Sequence, residues 1–161
     1  MKKYILFDND GVLVHTEPLY FKANIIALEE YFNISLEFEE YMKIMSEGTT
    51  VWQKAFEKGF SSHEIDKARN QRNLYYQNFL RTENILIPQV KEVLEKLSKK
   101  YKMGIVTTSR RVDFEIIHRN LGIVDYMDFV LCEEDYNYAK PHPEPYLKGL
   151  ELFKAKKEET I

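Results

Sequence analysis

The chain carries a single cysteine, no apolar stretch approaching the length of a membrane span, no excess of positive charge and no internal repeat. Each lack removes a class of explanation. A lone Cys132 forbids an internal disulfide, and at the end of an apolar run it reads as a small core residue rather than a nucleophile. Lys2-Lys3 ahead of Tyr4 to Phe7 imitates a signal peptide, but Asp8 stops the run far short of the ~20 apolar residues that cross a bilayer. With a formal net charge of −3, no global positive field draws in nucleic acid or an anionic membrane. A reducing, cytoplasmic setting and a monomer are expected, with no nucleic acid and no membrane as partner; any anionic substrate must be held locally.

What is present suits one globular core with a small insertion: 161 residues, 44% hydrophobic and 30% charged. Tyr4 to Phe7 reads as a short strand buried on both faces, as parallel-sheet strands are. From about 16 to 83 every pattern is helical: apolar spacing over 19–32, Ser35 as a candidate cap for 36–45, a resumed helix over 51–58, and a capping box at Ser61 to Glu64 opening a helix to about 80. Thereafter strand and helix alternate. Pro88 opens a helix to 100 with Val90, Val93, Leu94 and Leu97 inward, 103–107 is a buried strand, 112–121 an amphipathic helix, 129–131 a third strand and 143–153 a last helix. Strands separated by helical crossovers imply a parallel α/β sheet, whose sites gather beyond the strands' carboxyl ends.

Chemistry-bearing residues fall at those ends. Side chains alternate along an extended chain, so Asp8 and Asp10 point the same way past the first strand, with Asn9 opposite and Gly11 free to turn. Such a pair repels itself unless a cation sits between its members or one of them holds a proton. Thr107-Thr108-Ser109 ends the second strand with three hydroxyls before a helix, where hydroxyls and backbone N–H groups can hold a phosphate. Lys140-Pro141-His142-Pro143 stiffens the loop after the third strand and keeps Lys140 at its mouth.

Taken together and in this order, Asp8-Asn9-Asp10-Gly11-Val12-Leu13, Thr107 and Lys140-Pro141-His142-Pro143 resemble the signature of the haloacid dehalogenase (HAD) superfamily, over nearly the whole chain. The resemblance implies a doubly wound, Rossmann-like parallel-sheet core of residues 1–15 and 84–161. Residues 16–83 become an inserted small α-helical cap of the type shared by β-phosphoglucomutase and phosphoglycolate phosphatase. It further implies a Mg²⁺-dependent phosphatase acting on a small phosphorylated metabolite through an aspartyl phosphate. Asp8 is then the nucleophile and Asp10 the general acid and base, both serving the metal, while Thr107 and Lys140 hold the phosphoryl oxygens beside Thr108 and Ser109. Gly48-Thr49 matches the cap loop that faces substrate, and Arg72 a basic cap residue.

Val51 stands where a mutase would carry an arginine and Tyr20 where the sugar phosphomutases carry a histidine, so phosphatase is the reading preferred over mutase. A sugar phosphomutase and a catalytically silent phospho-ligand-binding module stay open as alternatives. Relatives carry a fourth, acidic motif at the end of a further strand, to which Lys156 to Ile161 looks like the lead-in. The C-terminal part of the core is therefore expected to be missing, with the Glu133-Glu134-Asp135 loop as the first place to look for a substitute metal carboxylate.

Overall fold

In the computed structural model, which describes residues 1–161, Tyr4–Phe7 forms strand β1 of a parallel sheet in the order β1-β2-β3, with β2 at Lys102–Val106 and β3 at Phe129–Leu131. Phe7 lies opposite Ile105, and Gly104 opposite Phe129. The far edge of β1 is also bonded: Lys3 N–H donates to Glu159 O at 2.8 Å, Ile161 N–H to Tyr4 O at 2.9 Å, and Leu6 N–H to Ile161 O at 2.9 Å. Parallel neighbours need crossovers, and helices α5 (Val90–Ser98), α6 (Arg111–His118) and α7 (Glu144–Phe153) supply them in alternation with the strands. The expected α/β class with a parallel sheet is what the structure has. Cys132 is fully buried, as read, and burial pushes its thiol up to about 11.

Two details of this unit differ from the periodicity. Pro88 does not open α5, because Gln89 sits in the left-handed region (φ 68°) and the helix starts only at Val90. Val93 points outward, half exposed, while Leu94 takes the buried position. A local pattern of apolar residues cannot say where the chain re-enters after a left-handed residue, and that entry sets which face turns inward.

The chain divides into two units, Met1–Thr16 with Asn84–Ile161, and Glu17–Glu83. The second is all helix: α1 (Glu17–Phe32), α2 (Phe38–Ser46), α3 (Gln53–Glu57) and α4 (Ser62–Thr82). Leu28, Phe32, Trp52, Ala55, Ile65 and Ala68 are among its buried centre. The capping box is formed, with Ser61 N–H donating to the Glu64 carboxylate at 2.8 Å and Glu64 N–H reaching Ser61 Oγ at 3.4 Å. Ser35, by contrast, caps nothing: α2 begins three residues further on, after an extended Glu37 without a side-chain cap. No helix in the chain is long and apolar enough to cross a membrane.

Gly104 marks the tightest point of the sheet. A Cβ there would stand 2.6 Å from the Phe129 ring on the neighbouring strand. Gly104→Ala should therefore lower the stability of the folded chain by about 1–3 kcal/mol, read as a reduced urea midpoint with an unchanged slope. Phe129→Leu in the same background should recover part of the loss; a midpoint equal to wild type in Gly104→Ala alone would show that the ring moves aside freely.

Candidate active site

Past Phe7 the strand ends and its two acids acquire different partners. Asp8 Oδ1 lies 2.7 Å from Lys140 Nζ and accepts Asn9 N–H at 2.7 Å. The lysine is drawn in rather than solvated, with 15% of its side chain exposed against 44% for Asp8, and it also donates to Val106 O at the end of β2, 3.2 Å away. Asp10 faces no cation. Its Oδ1 accepts Thr16 Oγ1 at 2.5 Å, and its Oδ2 accepts Ser109 Oγ at 2.7 Å, Thr107 Oγ1 at 3.2 Å and Asn9 Nδ2 at 3.3 Å.

Local chain geometry makes this convergence possible. Gly11 takes φ 76°, a conformation that a side chain would oppose, and Leu13 and Val14 N–H turn back onto Asn9 O at 2.8 and 3.2 Å. That turn returns Thr16 to Asp10. Thr107, fully buried, follows β2 directly; its hydroxyl accepts Ser109 N–H at 3.0 Å, and the Tyr136 hydroxyl donates to its carbonyl at 2.7 Å. Burial, above all, pushes the Tyr136 phenol up to about 12, so it remains a donor.

Of the residues singled out from sequence, Asp8, Asp10, Thr107, Ser109 and Lys140 come together at one end of the sheet, with Thr108 exposed between two of them. The remaining three lie in the helical unit. Gly48 (φ 70°) ends α2, its N–H on Met45 O at 3.1 Å, and Thr49 Oγ1 donates to Ile44 O at 3.0 Å. Arg72 is buried, with its guanidinium donating to Asn24 Oδ1 at 2.8 Å and Asn73 Oδ1 at 2.9 Å, and it lies 4.5 Å from the Tyr20 ring centroid. Val51 is buried in the same unit's core.

Sequence reasoning passes over Thr16, Tyr136 and His118 as parts of the site, and reads Asn9 only as pointing away. Asn9 is in fact fully buried, its Oδ1 2.7 Å from His118 Nε2 at the end of α6. A buried amide needs partners, but the burial of Asn9 is visible only in the fold and no sequence signal marks it.

No group of three or more acids, histidines or cysteines stands ready to enclose a metal. The Glu133-Glu134-Asp135 loop is occupied otherwise: the Glu134 carboxylate accepts Arg111 N–H at 2.9 Å and so caps α6, and Asp135 pairs with the Arg111 guanidinium while accepting Cys132 N–H at 2.7 Å. Asp8 does offer a half-exposed carboxylate, and the Asp10 backbone carbonyl accepts no backbone N–H. Oxygen donors of these two kinds, completed by waters and a phosphate, fit a small hard cation such as Mg²⁺.

A family model described as haloacid dehalogenase-like hydrolase matches residues 5–161. Pyrophosphatase PpaX of Bacillus mycoides is 30% identical over 98% of this chain and 72% of that protein. The PpaX pyrophosphatase of Bacillus thuringiensis is 29% identical over 98% of this chain and 71% of its own length. Among solved structures, one described as a predicted phosphoglycolate phosphatase from Haemophilus somnus aligns with a TM-score of 0.82 at 26% identity, covering 99% of this chain and 75% of that one. CbbY from Rhodobacter sphaeroides, in complex with phosphate, shares the fold with a TM-score of 0.80 at 19% identity, covering 100% and 76%.

Burial holds the His118 imidazole down at about 4 against an ordinary 6.5. Above pH 6.5 the ring is neutral in folded and unfolded chain alike; below it, the unfolded chain takes up a proton that the folded one refuses. Stability should therefore fall as pH drops from 6.5 toward 4, by about 1.4 kcal/mol per pH unit and roughly 3 kcal/mol in all. Urea unfolding of wild type and His118→Phe across this window tests it, because carboxylates common to both cancel in the difference. Parallel pH profiles for the two proteins would refute a neutral, buried ring.

Proposed function

The chain belongs to the haloacid dehalogenase-like hydrolases, and from that membership we propose that it is a phosphatase that hydrolyses a small phosphate ester through Asp8. The observation that carries the reading is the 2.7 Å approach of Lys140 to Asp8, beside a second carboxylate held by neutral donors. Relatives named as pyrophosphatases, and a neighbour described as a predicted phosphoglycolate phosphatase, support a phosphoryl group as what is transferred. A cytoplasmic setting suits the unpaired, buried Cys132.

In the first step an Asp8 oxygen attacks phosphorus in line, the bond from phosphorus to the ester oxygen breaks, and Asp10 gives its proton to the departing oxygen. In the second, Asp10 takes a proton from the water that attacks the aspartyl phosphate, releasing inorganic phosphate and restoring Asp8. A covalent intermediate thus divides one hard hydrolysis into two easier displacements. Lys140 and Thr107 hold the phosphoryl oxygens, with Thr108 beside them. Thr107 has one proton to donate, and it is now on Asp10; Ser109 shares that carboxylate, so Ser109 can keep Asp10 in place while Thr107 turns to the phosphoryl group. The Asp8 carboxylate and the Asp10 carbonyl would hold a Mg²⁺, which would offset the negative charge that nucleophile and substrate bring together.

The helical unit is assigned the part of a cap, with Gly48, Thr49 and Arg72 as its substrate-reading residues. Supporting this for Arg72 is its set of neutral partners, the Asn24 and Asn73 amides and the Tyr20 and Trp52 rings, which leaves a buried cation without a carboxylate.

Phosphate release from p-nitrophenyl phosphate, inorganic pyrophosphate, phosphoglycolate and other phosphate esters tests the reading, and Asp8→Asn should abolish it without unfolding the chain. Full activity in that variant would remove Asp8 from the mechanism. Lys140→Ala should cost roughly 100-fold or more in kcat, the usual effect of deleting a donor to developing charge. Asp10→Asn should leave more phosphorylated enzyme per site than wild type, in a linkage cleaved by hydroxylamine; a hydroxylamine-stable linkage would place the phosphoryl group on a hydroxyl instead. Chelation with EDTA should suppress turnover and added Mg²⁺ restore it, whereas undiminished activity in EDTA would exclude the metal.

A further inference from the structure

His118 Nδ1 is the one buried side-chain nitrogen or oxygen in the chain with no hydrogen-bond partner. An orphaned polar atom costs stability, and an apolar side chain packed on Phe114, whose ring centroid lies 4.3 Å away, would avoid that cost. A histidine kept here at a penalty calls for a reason.

The direction of its hydrogen bonds supplies one. The Asn9 amide presents its NH₂ to Asp10 Oδ2 and its carbonyl oxygen to His118, the arrangement required when Asp10 is the ionised base awaiting the proton of the attacking water. The ring must then donate through Nε2, 2.7 Å away, which in a neutral imidazole leaves the buried Nδ1 with a lone pair and no partner. The orphan is thus the consequence of a commitment at the other nitrogen. Asp10's remaining donors, Thr16, Thr107 and Ser109, are hydroxyls that rotate and can reverse direction. Asn9 alone is a rigid, one-way donor. At 3.3 Å its contact with Asp10 is the loosest of the four, so it constrains the carboxylate only while the amide is itself held from behind.

We propose that His118 is a positioning residue for the reaction, fixing through Asn9 the rotamer in which Asp10 meets the leaving oxygen and the attacking water. Its kinetic consequence rests on the phosphatase reading; the contact and its effect on Asp10 do not. His118 touches no reacting atom, so removing its donor should lower kcat and leave KM nearly alone. Loss of such an outer partner typically costs roughly 10- to 100-fold in activity.

The test combines His118→Phe, which keeps a ring but no donor, His118→Gln, whose amide can donate from a similar reach, Asn9→Leu, and the double variant Asn9→Leu/His118→Phe. With p-nitrophenyl phosphate, His118→Phe should lose at least about tenfold in kcat with KM within about twofold, and His118→Gln should recover most of it. His118→Phe should cost nothing further in the Asn9→Leu background. A kcat unchanged in folded His118→Phe, or an equal loss with and without Asn9, would overturn the proposal. An arm without turnover separates it from the phosphatase reading: the ¹³Cγ resonance of Asp10 should move in His118→Phe and return in His118→Gln, and the His118 ring should show a protonated Nε2 and a bare Nδ1 at pH 7. An Asp10 resonance indifferent to position 118 would sink the proposal even in an active enzyme, and a resonance that responds would uphold it should wild type release no phosphate. If His118→Phe does not fold, Asn9→Leu against wild type reads the same resonance, and no displacement there is equally fatal.

Discussion

Two carboxylates at the end of one strand repel each other, and the side chains around Asp8 and Asp10 are arranged in answer to that repulsion. Asp8 meets an ammonium group at 2.7 Å, whereas Asp10 meets four neutral donors. With Asp8 nearly half exposed, its pairing with Lys140 contributes little to stability. The ammonium does not float on a free side chain, since Val106 O fixes it to the end of β2. Asp10 keeps mainly partners that can either donate or accept, so its surroundings persist whether or not it carries a proton. The two acids thereby differ in the kind of neighbour each has, which is what the proposed roles of nucleophile and proton carrier require.

Much of this was legible in the residues because it depends on local order. The apolar run Tyr4–Phe7, the short strand Phe129–Leu131 and the Ser61–Glu64 capping box each appear where alternation, run length and cap chemistry place them. The acids, the hydroxyls after β2 and Lys140 are legible for a related reason: in a parallel sheet, strand ends meet. What stayed hidden depends on distant side chains. The start of α6 is held by Glu134, 23 positions along the chain, and the start of α5 by a left-handed Gln89 that no periodicity signals. Asn9 and His118 lie 109 positions apart, and nothing in either neighbourhood says that one amide and one imidazole share a pocket. Ser35 shows the converse failure, a good capping residue in a place where the chain does not yet turn into a helix.

The accuracy of the site comes from the sheet more than from the site's own hydrogen bonds. β1 is bonded along both edges, to β2 and to the chain around Thr160. A strand paired on two sides cannot shift by one residue without breaking both ladders and turning every side chain to the opposite face. With Phe7 set opposite Ile105, the chain leaves β1 at Asp8 just as its neighbour passes through Val106 to Thr107, so the two strands deliver acids and hydroxyls at the same level. Gly104 allows β3 to close on β2 through the Phe129 ring, and β3 in turn leads to the loop that carries Tyr136 and Lys140. A slip of one register would leave each of these side chains intact and separate Asp10 from Thr107, which makes the ladder of β1 and β2 the first determinant of the chemistry.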